Sequence, residues 1–387
     1  MIPYGRQEIT DADIAEVEKV LRSDFLTQGP TVPRFEQHVS KYCNVKYAVA
    51  VNSATSALHI ACLALDLAPG DWIWTSPNTF VASANCALYC GANVGFVDID
   101  PKTYNMSIEN LTNKLIQAKK NGRLPKIVIP VHFSGQPCEM PKIYKLSKQY
   151  GFKIIEDASH AIGAKYSVQD DIKVGSCLYS DITVFSFHPV KIITTAEGGL
   201  CCTNDENLAE KMIKYRSHGI NRAIASSDHD KDEKWNYSQE FLGFNYRMTE
   251  IQAALGLSQF TRLDQYIQRR NEIANLYLQN LSDLPINLPS VVNDILSSFH
   301  LFIIQIHEDS LKTRNSLYDY LSKNQIGVNF HYIPIYRHPA YSELGFNKNH
   351  CPNAEKYFKT ALSIPLHQSM SENDIEEVIS SINSFFR

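Results

Sequence analysis

Short β-branched runs alternate with helix-like stretches through the first half of the chain, and that alternation restricts the fold more than any other feature. YAVAV (Tyr47–Val51), WIWTS (72–76), VGFVDI (94–99), KIVIPV (126–131) and KIIED (Lys153–Asp157) read as buried strands. ATSALHIACLAL and MPKIYKLSKQY, lying between them, read as helices. Strands that are apolar along their whole length must be covered on both faces, so the pattern predicts an α/β domain with a mostly parallel sheet. ITVFSF and GGLCCT add strands, and a helix follows from about Asn207 to Arg216. From Asn221, NRAIASSDHDKDEKWNYSQE has no apolar periodicity and reads as an exposed loop. One long helical pattern then runs from Thr249 to about Leu281 and stops at LPINLPS. The remainder contains FHLFIIQI, a helix from Ser310, GVNFHYIPIY and a final amphipathic helix, and reads as a smaller αβ domain. A chain of 387 residues is long enough for two units, placed here at 1–250 and 251–387.

Composition narrows the function classes. A net charge of -4 gives no general attraction to nucleic acid or to an anionic membrane. No apolar run has the length of a membrane span, and MIPYGRQEIT lacks the apolar core of a secretion signal. The nine cysteines are odd in number and include no C-x-x-C pair, which suits reduced thiols in a cytoplasm. Cys86 and Cys90 lie one helical turn apart without an accompanying histidine pattern, so they read as core and no metal site is expected.

The ends of the strands carry the chemistry. After YAVAV comes NSATSAL, where Asn52 or Ser53 can cap a helix and leave backbone N–H groups for a phosphate; a plain N-cap has the same sequence. Phe80 follows a strand and a proline-bearing turn, so its ring faces either a cleft or the core. KIIEDASHAIGA ends a strand with two acids. Magnesium bound for nucleotide hydrolysis would also need G-x-x-x-x-G-K-[ST], which the chain lacks. Adjacent strand residues point to opposite faces, so Glu156 and Asp157 cannot both serve one ligand. Asp157 can instead hold the proton on a pyridinium nitrogen, with His160 near the same ring.

SFHPVKIITTAEGG brings Ser186, a possible phosphate donor, and Lys191, flanked by Val190, Ile192 and Ile193. Such a lysine either snorkels its charge to water or has its amine desolvated into a nucleophile. A phosphate seat, a ring neighbour, a carboxylate for a ring nitrogen and a nucleophilic lysine together describe a pyridoxal phosphate site.

Over essentially its whole length the chain resembles the DegT/DnrJ/EryC1 sugar aminotransferases. The resemblance runs from FLTQGPTVPRFE through NSATSAL, EDASHAIGA, SFHPVKIITTAEGG and RSHGI to GFNYRMTEIQAALGL and NFHYIPIYRHPAY. The pairing of NSATSAL with SFHPVKIITTAEGG and RSHGI makes it most similar to the aminotransferases of pseudaminic acid synthesis. Those enzymes aminate C4 of a UDP-linked 4-keto-6-deoxy-N-acetyl sugar, using glutamate and releasing 2-oxoglutarate. The resemblance implies the pyridoxal phosphate-dependent fold type I, a homodimer and active sites at the subunit interface. Position by position, Lys191 resembles the Schiff-base lysine and Asp157 the pyridinium partner. Ala54, Thr55 and Ser186 match phosphate-side positions, and His160 and Phe80 match ring neighbours. Asn245 matches an asparagine reaching the phosphate from the partner subunit. Tyr4, the segment Asp24, Phe25, Leu26 and Thr27, and the residues His331, Tyr332, Pro334, Ile335 and Tyr336 match places where the nucleotide sugar lies.

Ala54 departs from the glycine of many relatives. Related sugar dehydrases carry histidine where this chain keeps Lys191, which favours transamination. In HYIPIYRH, Arg337 and the aromatic rings suit either the base or the diphosphate of a UDP-sugar, though a proline-stiffened surface loop would look alike. A sibling enzyme acting on another nucleotide keto-sugar remains the alternative within the class. A non-catalytic regulator that binds the cofactor would show a missing lysine, an appended DNA-binding module or a basic patch, and the sequence has none.

Overall fold

The computed structural model describes residues 1–221, 237–290 and 292–387. Seven strands form its central sheet: β1 Tyr47–Val51, β2 Trp72–Thr75, β3 Asn93–Phe96, β4 Ile127–Ile129, β5 Lys153–Asp157, β6 Ile182–Ser186 and β7 Gly199–Thr203. Their spatial order is β1-β7-β6-β5-β4-β2-β3. Strand β7 runs antiparallel to both its neighbours, and the other pairings are parallel. Alternate side chains of one strand feed different cores, which is why the strands read as unbroken apolar runs. Ile127 and Ile129 of β4 join one buried cluster, and Val128 between them joins another.

Two expectations need correction, and a third is mostly untested. The run VGFVDI pairs as a strand only as far as Phe96. Beyond it, Asp98 turns away to accept the Asn353 and Ala354 N–H groups at 2.8 and 3.0 Å, at the start of the helix Pro352–Thr360. The long helix expected from Thr249 is two helices, Glu250–Phe260 and Leu263–Asn280. The first packs on the helices Asp11–Leu21 and Thr31–Cys43, whereas the second puts Ile273, Ala274 and Tyr277 into a separate C-terminal core. Different packing partners bend the path at Thr261–Arg262, and the Arg262 guanidinium locks the corner on both oxygens of buried Asp13 at 2.8 and 2.7 Å. The loop expected from Asn221 lies mostly outside the described residues, but its flanks Ile220–Asn221 and Ser238–Gln239 pair antiparallel.

The C-terminal part is built on a second sheet of β8 Ile286–Asn287, β9 Phe302–Ile306 and β10 Ala361–Ile364, all antiparallel. The helices Arg314–Lys323 and Glu372–Phe386 cover it. Ile2 returns from the N-terminus to join this core and to bridge Ile326. Arg270 is buried here without a carboxylate partner among the described residues. Its guanidinium donates to the carbonyls of Phe299 and Leu366, each at 3.1 Å, and to Gln368 Oε1 at 3.0 Å. Burial drops its pKa to about 9. Carbonyl dipoles thus hold the loop that leads to His300.

Parallel strands end on one side of a sheet, so the segments after β1, β2, β5 and β6 meet at a common rim, the usual place for a ligand in an open α/β sheet. Gly199 opens β7 at that rim, opposite Val51 and Ser186. A Cβ on it would lie 2.4 Å from the Ser53 carbonyl carbon and 2.5 Å from the Ala54 nitrogen. Only glycine lets β7 pass this close to the start of the helix Ala54–Ala64.

Candidate active site

A cavity of about 500 Å³ opens at the rim, between the central sheet and the segment 329–332. Ten of the residues singled out from the sequence line it: Tyr4, Ala54, Thr55, Phe80, Asp157, His160, Ser186, Lys191, His331 and Tyr332.

Asp157 ends β5 with its carboxylate in the cavity. Its Oδ2 accepts Ser83 Oγ at 2.6 Å, and its Oδ1 accepts the Ser159 N–H at 3.1 Å. Thr79 Oγ1 meets Ser83 Oγ at 3.0 Å and extends the chain of hydroxyls. Glu156 points to the opposite face, as strand geometry requires. There it accepts from Tyr166, Ser180 and Thr183 and lies 2.8 Å from His132 Nε2, fully enclosed. The Cys138 N–H donates to His132 Nδ1 at 3.0 Å, so Nε2 carries the proton toward Glu156. Glu156 is therefore a structural anchor, and Asp157 is the acid left for a ligand.

Lys191 follows a turn closed by its N–H on the His188 carbonyl at 2.9 Å. Its side chain keeps some exposure, yet desolvation of the amine brings the pKa down to about 8, against the pull of nearby Asp157. A measurable share of the amine is consequently uncharged near neutral pH. The histidines around it add no competing charge. Burial, reinforced by Lys191, lowers the pKa of His160 and of His300 well below the usual range, and lowers that of His331 to about 3.

One end of the cavity is formed by the start of the helix Ala54–Ala64. Ser53 caps it by accepting the Ser56 N–H at 3.1 Å. The Ala54 and Thr55 N–H groups precede the first intrahelical donor, the Ala57 N–H on the Ser53 carbonyl, and stay open at the positive end of the helix. Across from them Ser186, a largely buried residue, lines the cavity, and its hydroxyl makes no hydrogen bond among the described residues. Phe80, 59% exposed, stands at the mouth with its ring 6.4 Å from that of Tyr332, so of the two readings of this residue the cleft is the right one.

Eight expected residues do not line this cavity. Asp24, Phe25, Leu26 and Thr27 are exposed on the surface, where the Leu26 carbonyl accepts the Glu250 N–H at 3.0 Å. Asn245 is also exposed, a few residues before Glu250, and pairs with Ser217. Pro334, Ile335 and Tyr336 are a correction to the sequence reading. All three are buried, with the Ile335 N–H on the Pro77 carbonyl at 2.9 Å and the Tyr336 hydroxyl on the Cys351 carbonyl at 3.3 Å. Their side chains pack into the core and do not line this cavity. Arg337 is likewise committed, in a bidentate pair with Glu355.

Sequence reasoning missed Ser83, Ser159, Glu197, His300 and Asn329. His300 had a signal, a polar residue near the start of the mostly apolar FHLFIIQI; its ring packs 4.4 Å from that of His160, and its Nδ1 has no partner among the described residues. Ser83 had none, because only the fold brings it under Asp157.

A desolvated amine, a buried carboxylate, an open helix N-terminus and an unengaged hydroxyl around one cavity fit pyridoxal phosphate. Comparison with known proteins agrees. The DegT/DnrJ/EryC1/StrS aminotransferase family matches residues 7–383. A UDP-4-amino-4,6-dideoxy-N-acetyl-beta-L-altrosamine transaminase of Campylobacter jejuni is 37% identical over 379 residues, covering 98% of this chain and 96% of its own. A GDP-perosamine synthase of Caulobacter vibrioides is 34% identical over 364 residues, covering 92% of this chain and 90% of its own. The structure of Helicobacter pylori PseC, an aminotransferase involved in the biosynthesis of pseudoaminic acid, superposes with a TM-score of 0.89 at 32% identity, covering 100% of this chain and 99% of that one. The chain belongs to the DegT/DnrJ/EryC1/StrS aminotransferases and is a pyridoxal phosphate-dependent sugar aminotransferase.

Proposed function

We propose that this enzyme moves an amino group from glutamate to C4 of a UDP-linked 4-keto-6-deoxy-N-acetylhexosamine, a step of pseudaminic acid synthesis. The observation that carries the reading is the desolvated Lys191 amine beside Asp157 in the rim cavity, in a chain 37% identical to the altrosamine transaminase over 379 residues. Pyridoxal phosphate bound there would supply a carbonyl for amines and an electron sink. Ala54 and Thr55 N–H groups and the Ser186 hydroxyl hold its phosphate. Asp157, oriented by Ser83 and Ser159, keeps the ring nitrogen protonated, and His160 and Phe80 bound the ring. The Lys191 amine would hold the cofactor carbonyl and would serve as the group that accepts and returns a proton. Tyr4, His331 and Tyr332 line the sugar side.

The likeness to the GDP-perosamine synthase favours a second reading, a sibling enzyme with another nucleotide-linked keto-sugar. One experiment separates them. The enzyme is loaded with glutamate, stripped of 2-oxoglutarate and scanned for absorbance with a panel of UDP-, GDP- and dTDP-keto-sugars. Under the first reading the UDP-4-keto-6-deoxy-N-acetyl sugar returns the spectrum to the aldehyde form fastest. Faster return with a GDP-sugar would establish the second, and silence toward every keto-sugar would remove both.

The enzyme is further proposed to be a homodimer with shared active sites. Asn245 and the segment Asp24–Thr27 point outward from their own chain, and Phe25, Leu26 and Leu242 nearby are exposed at 53%, 48% and 79%. An outward polar group framed by apolar side chains suits a contact between subunits. Mixing Lys191→Ala protein with an inactivating Asn245 variant then restores activity. Each mixed dimer has one intact pocket, and random exchange leaves roughly a quarter of all pockets intact. If both residues served the same pocket from one chain, mixing would restore nothing even with subunit exchange verified.

A further inference from the structure

A line of hydrogen bonds on the cavity wall fixes which way one hydroxyl can point. The Ser134 N–H donates to His160 Nδ1 at 3.3 Å, and His160 Nε2 lies 3.2 Å from Tyr332 Oη. A backbone N–H can only donate, so Nδ1 is the bare nitrogen of the ring. In a neutral imidazole the proton then sits on Nε2 and is given to Tyr332 Oη. Burial, with Lys191 and His331 nearby, keeps that imidazole neutral. The Tyr332 oxygen is thus already an acceptor, and its own O–H bond must find a partner elsewhere. Among the described residues it has none besides His160, and Tyr332 lines the cavity.

The wall is braced to keep this direction. Ser134 sits at φ 63, a conformation uncommon for a residue with a side chain, and its hydroxyl donates to the Leu301 carbonyl at 2.6 Å. Ser298 Oγ donates to the His160 carbonyl at 2.7 Å. The His160 ring lies nearly parallel to that of Tyr332, at 24° and 6.2 Å between centroids.

We propose that Ser134, through the tautomer it imposes on His160, makes Tyr332 a one-way hydrogen-bond donor to an acceptor oxygen of the molecule bound in the cavity. Ser134 and His160 are positioning residues, and Tyr332 is the binding residue. The inference rests on the reading of this cavity as the active site. Two molecules can bring the oxygen, the cofactor through its ring hydroxyl oxygen or the nucleotide sugar through a sugar oxygen. A group offering only N–H at that place finds no acceptor and is disfavoured.

The test combines spectroscopy with two binding constants on the holoenzyme. ¹⁵N-histidine NMR should report His160 as neutral, with hydrogen on Nε2 and none on Nδ1. Tyr332→Phe keeps the ring beside His160 and removes only the donor. Its dissociation constants are measured for pyridoxal phosphate, by titrating cofactor-stripped protein, and for the UDP-4-amino sugar product, by calorimetry. One of the two should weaken about tenfold, as expected for a lost hydrogen bond, and the one that weakens identifies the source of the oxygen. Parent-like binding of both ligands overturns the inference, as does a His160 that is charged or carries hydrogen on Nδ1. Lys191→Ala serves as the control. If that variant is dead while Tyr332→Phe binds both ligands normally, the cavity is the active site and only this inference falls. If Lys191→Ala still transaminates, the reading of the cavity falls and takes this inference with it.

Discussion

Lys191→Ala should lower kcat/KM for transamination at least about 10³-fold, because one amine both holds the cofactor carbonyl and moves the proton. Among the described residues no other lysine lines the cavity. Borohydride reduction of the parent enzyme should fix pyridoxyl on Lys191 alone, as read by peptide mass mapping. A pH signature accompanies the loss. Desolvation brings the amine to about 8, so cofactor-stripped parent protein should capture pyridoxal phosphate faster as pH rises through that value and the amine loses its proton. An adduct mapped to a different lysine, or a rate of capture flat across that range, would contradict the assignment.

Asp157→Asn should slow amination of the keto-sugar about 10²- to 10³-fold while the protein stays folded and still captures its cofactor. Asparagine fills the same volume and keeps an oxygen for Ser83 or Ser159, so the hydrogen-bonded corner at the end of β5 survives. What disappears is the negative charge that keeps the ring nitrogen protonated and the ring able to accept electrons. Thermal unfolding and sugar turnover, measured on the same preparation, separate the two roles. A variant with normal turnover would make the carboxylate structural. A variant with a lowered melting temperature and a proportionate loss of turnover would do the same.

The residues proposed for the chemistry were legible because their local sequence states a physical conflict. Lys191 among isoleucines and valine, and two acids ending an apolar strand, are costly placements that call for a compensating use. The period-two rule even separated Asp157 from Glu156, and the structure places them on opposite faces with different partners. The central sheet was legible for a similar reason, since strands buried on both faces leave no polar positions.

Other features were settled only in three dimensions. Helical periodicity ran through Thr261 because each helix is amphipathic toward its own partner, and sequence carries no mark of which core a face will meet. HYIPIY looked like a ligand loop because it is aromatic and proline-stiffened. In the fold its second half, from Pro334, is fastened to the core by Ile335 and Tyr336, and only His331 and Tyr332 turn toward the cavity.

Gly199, Ser83 and Ser134 owe their importance to neighbours distant in sequence: the Ala54 nitrogen, the Asp157 carboxylate and the His160 ring. The sequence by itself determined the α/β class, the cofactor chemistry and the residues under local electrostatic strain, because those follow from periodicity and desolvation along short stretches. Tertiary structure decided the tautomer of His160, the orienting partners of Asp157 and the closed path beneath the phosphate seat, because each depends on a distance between segments that no local pattern encodes.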